Sequence, residues 1–295
     1  MQHGRPIQFQ HGVLKVVTLA ELRNCEAWKR AFENKCKDHR YYEIVEETLQ
    51  DDFEHHHMLL EDDFGNARAI QPVFFVRQNL VEGVPGKISS IVDRVRKIFP
   101  RFLTMRVLMV GCAAGTGDLA ACDEKDERWV ANALQASLST YARQNKASLV
   151  VLKDFPATYR LELETFPRNG YARIPSMPMT RLPLPYQNWD EYFRTLSKAT
   201  RKDLRRKFRK AENAPKIEME IVSDIAALID EIYPLYLAVH QRSPFKFETL
   251  TKDYFCAIAK RMPERARFFI WRQLGKIVAF SFCLVWDDKV YDECI

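Results

Sequence analysis

A strand that runs straight into a capped helix occurs twice in this chain. The two copies lie about 205 residues apart, Val17 before Thr18 and Val222 before Ser223. Much the same offset lays the apolar pair His57–Leu60 and Ala69–Val76 on the pair Phe268–Trp271 and Ile277–Trp286. Two copies of a β-α-β-hairpin-β unit account for this order and restrict the chain to an α/β class with two related domains.

Local signals fill in the pattern. Thr18-Leu19-Ala20-Glu21 has the form of a capping box, in which hydroxyl and carboxylate satisfy each other's backbone donors, and predicts a helix to about Lys35. Ser223 is expected to cap its counterpart from Ile225 to about His240. Asp62-Asp63-Phe64-Gly65-Asn66 and Gln273-Leu274-Gly275-Lys276 read as hairpin turns, because Gly and Asn tolerate positive φ. Arg106–Val110 and Leu149–Leu152 are expected as inner strands, the latter followed by a helix to about Arg168. Asp126–Lys146 is expected as a helix with Trp129, Ala133, Leu134, Leu138 and Tyr141 on one face. Gly83–Pro100 reads as an insertion with a basic helix near Ile88–Ile98, and Tyr171–Pro185 as an extended, proline-punctuated stretch. Lys252–Arg261 is a further helix and Val290–Cys294 a last strand. The expected division is 1–186, a linker helix over 187–213, and 214–295.

At 295 residues, 47% hydrophobic and 28% charged, the chain has core material for about two soluble domains. It contains no apolar run of about 18 residues that would predict a spanning helix. Its N-terminus lacks the cationic start and apolar centre of a secretory signal. Seven cysteines without a CxxC pair fit free thiols in a reducing cytoplasm.

Charge is concentrated in one place. Ser197–Lys210 holds eight Lys or Arg and one acid, a local +7 that leaves −1 for the rest of a chain whose total is +6. Phe193, Leu196, Thr200, Leu204, Phe208 and Ala211 form a packing stripe, with Lys198, Arg201, Lys202, Arg205, Arg206 and Arg209 around the remainder. One reading is a solvated helix docked by that stripe. The other is an anion-binding helix, because like charges four residues apart repel and a phosphate-bearing partner relieves them: RNA, anionic lipid headgroups or cofactor phosphates.

The glycine-rich run Val110-Gly111-Cys112-Ala113-Ala114-Gly115-Thr116-Gly117-Asp118 follows a buried strand. Three readings stand: a nucleotide or S-adenosylmethionine loop, an acyl-carrier pyrophosphate loop at a helix N-terminus through Gly115, Thr116 and Gly117, or a plain turn. A Rossmann unit places an acid about 20 residues on, whereas Asp154 lies 37 residues past Gly117; that argues against the methyltransferase. His55-His56-His57 alternate in direction on a strand and cannot converge on one metal ion. His240 and Arg242 are read as helix-end cations or as part of a substrate wall.

Trp189-Asp190-Glu191-Tyr192-Phe193 through Ala211-Glu212, Leu235-Tyr236, Phe247-Glu248 through Phe255, and Phe268 to Ser281 together resemble FemAB-like acyltransferases of the GNAT superfamily. Ser148–Pro156 resembles their first domain. The resemblance covers most of the chain and implies two tandem GNAT-like domains with mixed, mostly antiparallel sheets flanked by helices. It also implies acyl transfer from acyl-CoA or an aminoacyl-tRNA to an amine on a small molecule or cell-wall precursor, without a metal. Asp292 and Glu293 fall on the strand matching the family's fourth and are the candidate bases. The family continues beyond that strand into a cofactor-binding half, so the second domain is expected to be truncated, a loss that can leave the chain inactive. The alternative function is a non-catalytic phosphate- or RNA-binding module built on the basic helix.

Overall fold

The computed structural model describes residues 5–79, 95, 99, 102–176, 178–243 and 246–294. The expected basic helix near Ile88–Ile98 lies almost wholly outside them. The chain divides into two compact units, one of residues 1–173 with 246–262 and the other of 174–245 with 263–295.

The first unit opens with β1 (Ile7–Phe9) and β2 (Gly12–Val17), then α1 (Leu19–Leu22), α2 (Glu26–Arg30) and α3 (His39–Thr48). The capping box at Thr18 is formed, with the Thr18 amide donating to Glu21 Oε2 at 2.7 Å. The single helix expected to Lys35 is instead broken at Cys25, which is extended. Geometry gives the reason. Leu22 and Trp28 are six residues apart and would point about 120° away from each other on one helix, yet both are buried. The break turns both into one core. Helix α3 escaped the sequence reading; Asp38 caps it by accepting from the Arg40 amide at 3.0 Å.

The hairpin follows as β3 (Glu54–Asp62) and β4 (Ala67–Asn79), its turn held by Asp62 Oδ1, which accepts from the Phe64 and Asn66 amides at 3.0 and 2.9 Å. Then come β5 (Thr104–Val110), α4 (Glu127–Gln144) and β6 (Leu149–Leu152). Past β6 the expected helix is reduced to short turns ending at Thr165–Arg168. The sheet runs β1-β2-β3-β4-β5-β6, antiparallel up to β5, with β6 parallel to β5. The crossover between those two parallel strands contains α4, as parallel pairing requires. Val73, Phe75, Leu108 and Val110 cluster with Leu134, Leu138 and Tyr141 of α4. The opposite face meets Phe53, whose ring lies 5.2 Å from Phe74. The three histidines alternate as expected: His57 Nε2 is 2.6 Å from Glu46 of α3, and His56 bonds the Tyr141 hydroxyl of α4.

The second unit begins with the extended 174–187 stretch, then α5 (Trp189–Thr195) and α6 (Lys198–Glu212). The packing stripe expected along one helix therefore crosses a break, because Leu196 is extended and Ser197 caps α6. Strand β7 (Ile217–Val222) leads to α7 (Ile229–Arg242). That helix starts later than expected and Ser223 does not cap it; Asp224 instead holds the preceding turn by accepting from the Ala226 amide. The chain then contributes α8 (Lys252–Arg261), capped by Thr251, to the first unit before returning as β8 (Ala266–Gln273), β9 (Lys276–Trp286) and β10 (Lys289–Cys294). These strands form a separate antiparallel sheet, β10-β9-β8-β7.

In the first unit α8 packs on α3. The Tyr41 and Tyr254 hydroxyls meet at 2.8 Å, Arg261 pairs with Glu43 and, at 2.8 Å, with Glu47, and Arg40 Nη1 donates to the Arg261 carbonyl at 2.7 Å.

Candidate functional site

The β9–β10 hairpin is closed by Asp287 and Asp288, both at positive φ (49° and 55°), the conformation of a tight hairpin turn that a short Asp side chain tolerates. Counting outward from it pairs Trp286 with Lys289, Val285 with Val290, and Cys283 with Asp292. The register then shifts between Asp292 and Cys294, so Glu293 is the extra residue of a β-bulge. Bulges re-aim side chains and are enriched beside active sites.

Asp292 Oδ1 accepts from the Ser281 hydroxyl at 3.1 Å and from the Cys283 thiol at 3.7 Å. Ser281 and Cys283 are buried, at 7% and 5% exposure. Burial pushes the Cys283 thiol up, reinforced by the Asp292 charge. It pushes the Cys294 thiol up to about 12, with the Glu293 and Asp292 charges adding to it. Both sulfurs are therefore thiols near neutrality, unsuited to nucleophilic attack. Within this cluster the Asp292 carboxylate accepts both hydrogen bonds. Sequence reading found Asp292 and Glu293 but missed Ser281 and Cys283; counting the register from the Asp287-Asp288 turn would have found Cys283.

The other predicted residues lie elsewhere. On α6, Arg201 is occupied in closing α5, its Nη1 donating to the carbonyls of Arg194 and Leu196 at 2.9 and 2.6 Å. Arg206 pairs with Asp203 at 2.7 Å, and Arg205 lies over the Phe193 ring at 5.3 Å. Lys198, Lys202 and Arg209 are exposed. His240 packs beside Tyr236, ring centres 5.6 Å apart, and with Arg242 it makes the basic last turn of α7, a favourable place for cations at a helix C-terminus.

Gly115, Thr116 and Gly117 belong to the first unit, and there the loop differs from the expected cradle. It does not open onto a helix. Residues 120–122 run beside the start of β4, with Ala69 bridged to Ala121, and α4 begins only at Glu127 behind an acidic turn. Buried Gln71 clamps this segment, donating to the Asp118 carbonyl and accepting from the Ala120 amide at 3.1 and 3.2 Å. The Gly117 amide donates to the Asp154 carbonyl at 3.2 Å, and Lys153 Nζ donates to the Gly115 carbonyl at 2.8 Å. Much of the loop's polar backbone is thus spent inside the fold. An open pocket of about 490 Å³ in the same unit is lined by Asp51, Asp52, Glu54, Arg77, Arg106 and Phe247, among others.

Among the described residues there is no cluster of three or more His, Cys, Asp or Glu able to hold a metal ion, and no helix is long and apolar enough to cross a membrane. Residues 198–293 match the family model of an acetyltransferase (GNAT) domain. The match starts on the first residue of α6 and ends on the bulge residue Glu293, and it includes α8. It supports the GNAT superfamily and, in general terms, acyl transfer. No curated protein matches the chain.

Proposed function

We propose that this protein is an N-acyltransferase that moves an acyl group from acyl-CoA to an amine, with Asp292 as the base. The observation that carries the reading is the position of the β10 bulge and of the exposed Asp292 carboxylate, held by the buried Ser281 and Cys283, inside the stretch that matches a GNAT domain. The amine nitrogen attacks the thioester carbonyl carbon and the carbon–sulfur bond breaks. The proton lost by nitrogen passes to Asp292, directly or through water, and the CoA sulfur leaves as thiolate. Ser281 and Cys283 hold the carboxylate by donating to it. Glu293, displaced by the bulge, is the second candidate base. A FemAB-like enzyme acting on a cell-wall precursor is a narrower form of this proposal and rests on the sequence resemblance alone. Nothing in the fold favours aminoacyl-tRNA over acyl-CoA.

The test is release of free CoA from acetyl-CoA in the presence of a panel of primary amines, followed with a thiol-reactive dye. Asp292→Asn is expected to lower kcat by about 10²–10⁴-fold, the usual contribution of a general base, with little change in KM for acetyl-CoA. Cys283→Ser keeps most activity. Full activity in both Asp292→Asn and Glu293→Gln removes the assigned base. No CoA binding by calorimetry and no turnover with any amine rejects the function.

A further inference from the structure

The second unit has two surface features that acyl transfer does not explain. The first is the stretch before α5. Pro175, Pro178, Pro183 and Pro185 keep it out of helix and sheet, and it turns its aliphatic side chains to solvent. Ile174 is 80% exposed, Met179 77%, Leu182 65% and Leu184 64%. Four large aliphatic groups this exposed on one short strap are unusual for a surface in contact only with water.

The second is α6. It buries no residue. At 100° per residue, Lys198, Lys202, Arg205, Arg206 and Arg209 share an arc about 100° wide and extend over roughly 16 Å. The acid Asp203 lies off this arc and is already engaged by Arg206 and Lys207, at 2.7 and 3.0 Å. Among the described residues no carboxylate pairs with Lys198, Lys202, Arg205 or Arg209.

The two features are joined. The Tyr186 ring at the end of the strap lies 5.5 Å from that of Tyr192 on α5, and the Gln187 amide donates to Glu191 Oε2 at 2.9 Å. Trp189 stands at the junction, 53% exposed, with its ring 6.1 Å from Phe208 of α6.

We infer that the strap and the α6 arc form a peripheral membrane-binding face that seats on a bilayer containing anionic lipid. The cations call for a dense array of negative headgroups, and the aliphatic strap calls for an apolar layer just beneath them. A lipid surface offers both, and a half-exposed Trp is the side chain enriched at that boundary. Nucleic acid would satisfy the cations but gives Ile, Met and Leu nothing to enter. The inference does not depend on the proposed acyl transfer.

The test is flotation of the full chain with vesicles of phosphatidylcholine alone and of phosphatidylcholine mixed with phosphatidylglycerol. Binding to the mixed vesicles alone, weakened by salt, is expected. The triple variant Lys202→Glu, Arg205→Glu, Arg209→Glu should weaken it by roughly a hundredfold or more, given the contribution of each cation near a charged surface. The variant Met179→Ser, Leu182→Ser, Leu184→Ser should weaken it by about tenfold or more while keeping the salt dependence. All these side chains are exposed, so circular dichroism should show both variants folded. A blue shift of fluorescence on vesicles, absent in Trp189→Phe, would place the junction at the interface. Failure to bind either vesicle overturns the inference. So does a gel shift with RNA that the arc variant loses and the strap variant keeps, in the absence of vesicle binding.

Discussion

The two sheets share an antiparallel order, β2-β3-β4-β5 in one unit and β7-β8-β9-β10 in the other, each strand series interrupted by helices at the same point. They differ in cover. In the first sheet β4 is buried on both faces from Ala69 to Phe75, with α4 over one side and the α1–α3 region over the other. In the second sheet Phe268, Ile270, Phe282 and Leu284 are buried on one face, while Ile217, Met219 and Ile221 on the other remain 53%, 55% and 52% exposed. Hairpin chemistry sets strand order in both. Burial, and with it stability, comes from the layers laid on top, so the same topology gives a sealed core once and a half-open sheet once.

A paired truncation would break this contrast if it is wrong. Phe74 is 1% exposed and packs against Phe53 and Phe247. Phe74→Ala should cost about 3–5 kcal/mol by urea unfolding, the range for deleting a buried aromatic ring. Ile221→Ala on the open face should cost less than about 1 kcal/mol. Equal losses would mean that the second sheet is covered as fully as the first.

Sequence legibility follows the same division. Strands, hairpins and the first helix start were readable because their signals are local: alternation, acidic and Gly-Asn turns, and Thr18 as a cap. The early helix was misread because Leu22 and Trp28 fit a helical pattern loosely but one core only after a break. Lodging of α8 on α3 was not legible. Glu43 and Glu47 meet Arg261 across 218 and 214 residues of sequence, and no window signals that contact. At the candidate site the carboxylates were legible as polar residues on a strand. Their donors became visible only through register, which a turn fixes but composition does not.

Acid should expose the sealed character of the first unit. Burial pushes His55 down to about 4, against a weaker upward pull from Glu46, and burial also lowers His56 and His39. Between about pH 6.5 and 4 the unfolded chain takes up a proton on His55 that the folded chain refuses, so stability must fall as pH falls through that window. For His55 alone the loss approaches roughly 3 kcal/mol. Burial raises the Glu46 carboxyl, but the hydrogen bond from His57 and the combined effect of His57, His55 and His56 bring it below its ordinary value. Chemical unfolding from pH 7 to 4.5 therefore reads mainly the histidines. His55→Phe, placed near the rings of Phe53 and Phe74, should flatten the slope. An unchanged slope in that variant would assign the acid sensitivity elsewhere.

The smallest contrast lies in two glycines. A Cβ on Gly117 would stand 2.5 Å from the Lys153 carbonyl oxygen and 2.6 Å from the Phe155 ring, so backbone or ring must move. A Cβ on Gly275, in the β8–β9 turn, would meet nothing within 4 Å, and only its positive φ of 79° resists substitution. Gly117→Ala should therefore cost about 1–3 kcal/mol through overpacking, and Gly275→Ala about 1 kcal/mol through backbone strain alone. Thermal melts of the two variants, alongside CoA titrations, separate the roles of the first loop. A loss of stability with unchanged CoA affinity fits a loop whose amides and carbonyls are used within the fold. A loss of CoA affinity at unchanged stability would instead return Gly115, Thr116 and Gly117 to the anion-binding role that their spacing suggests.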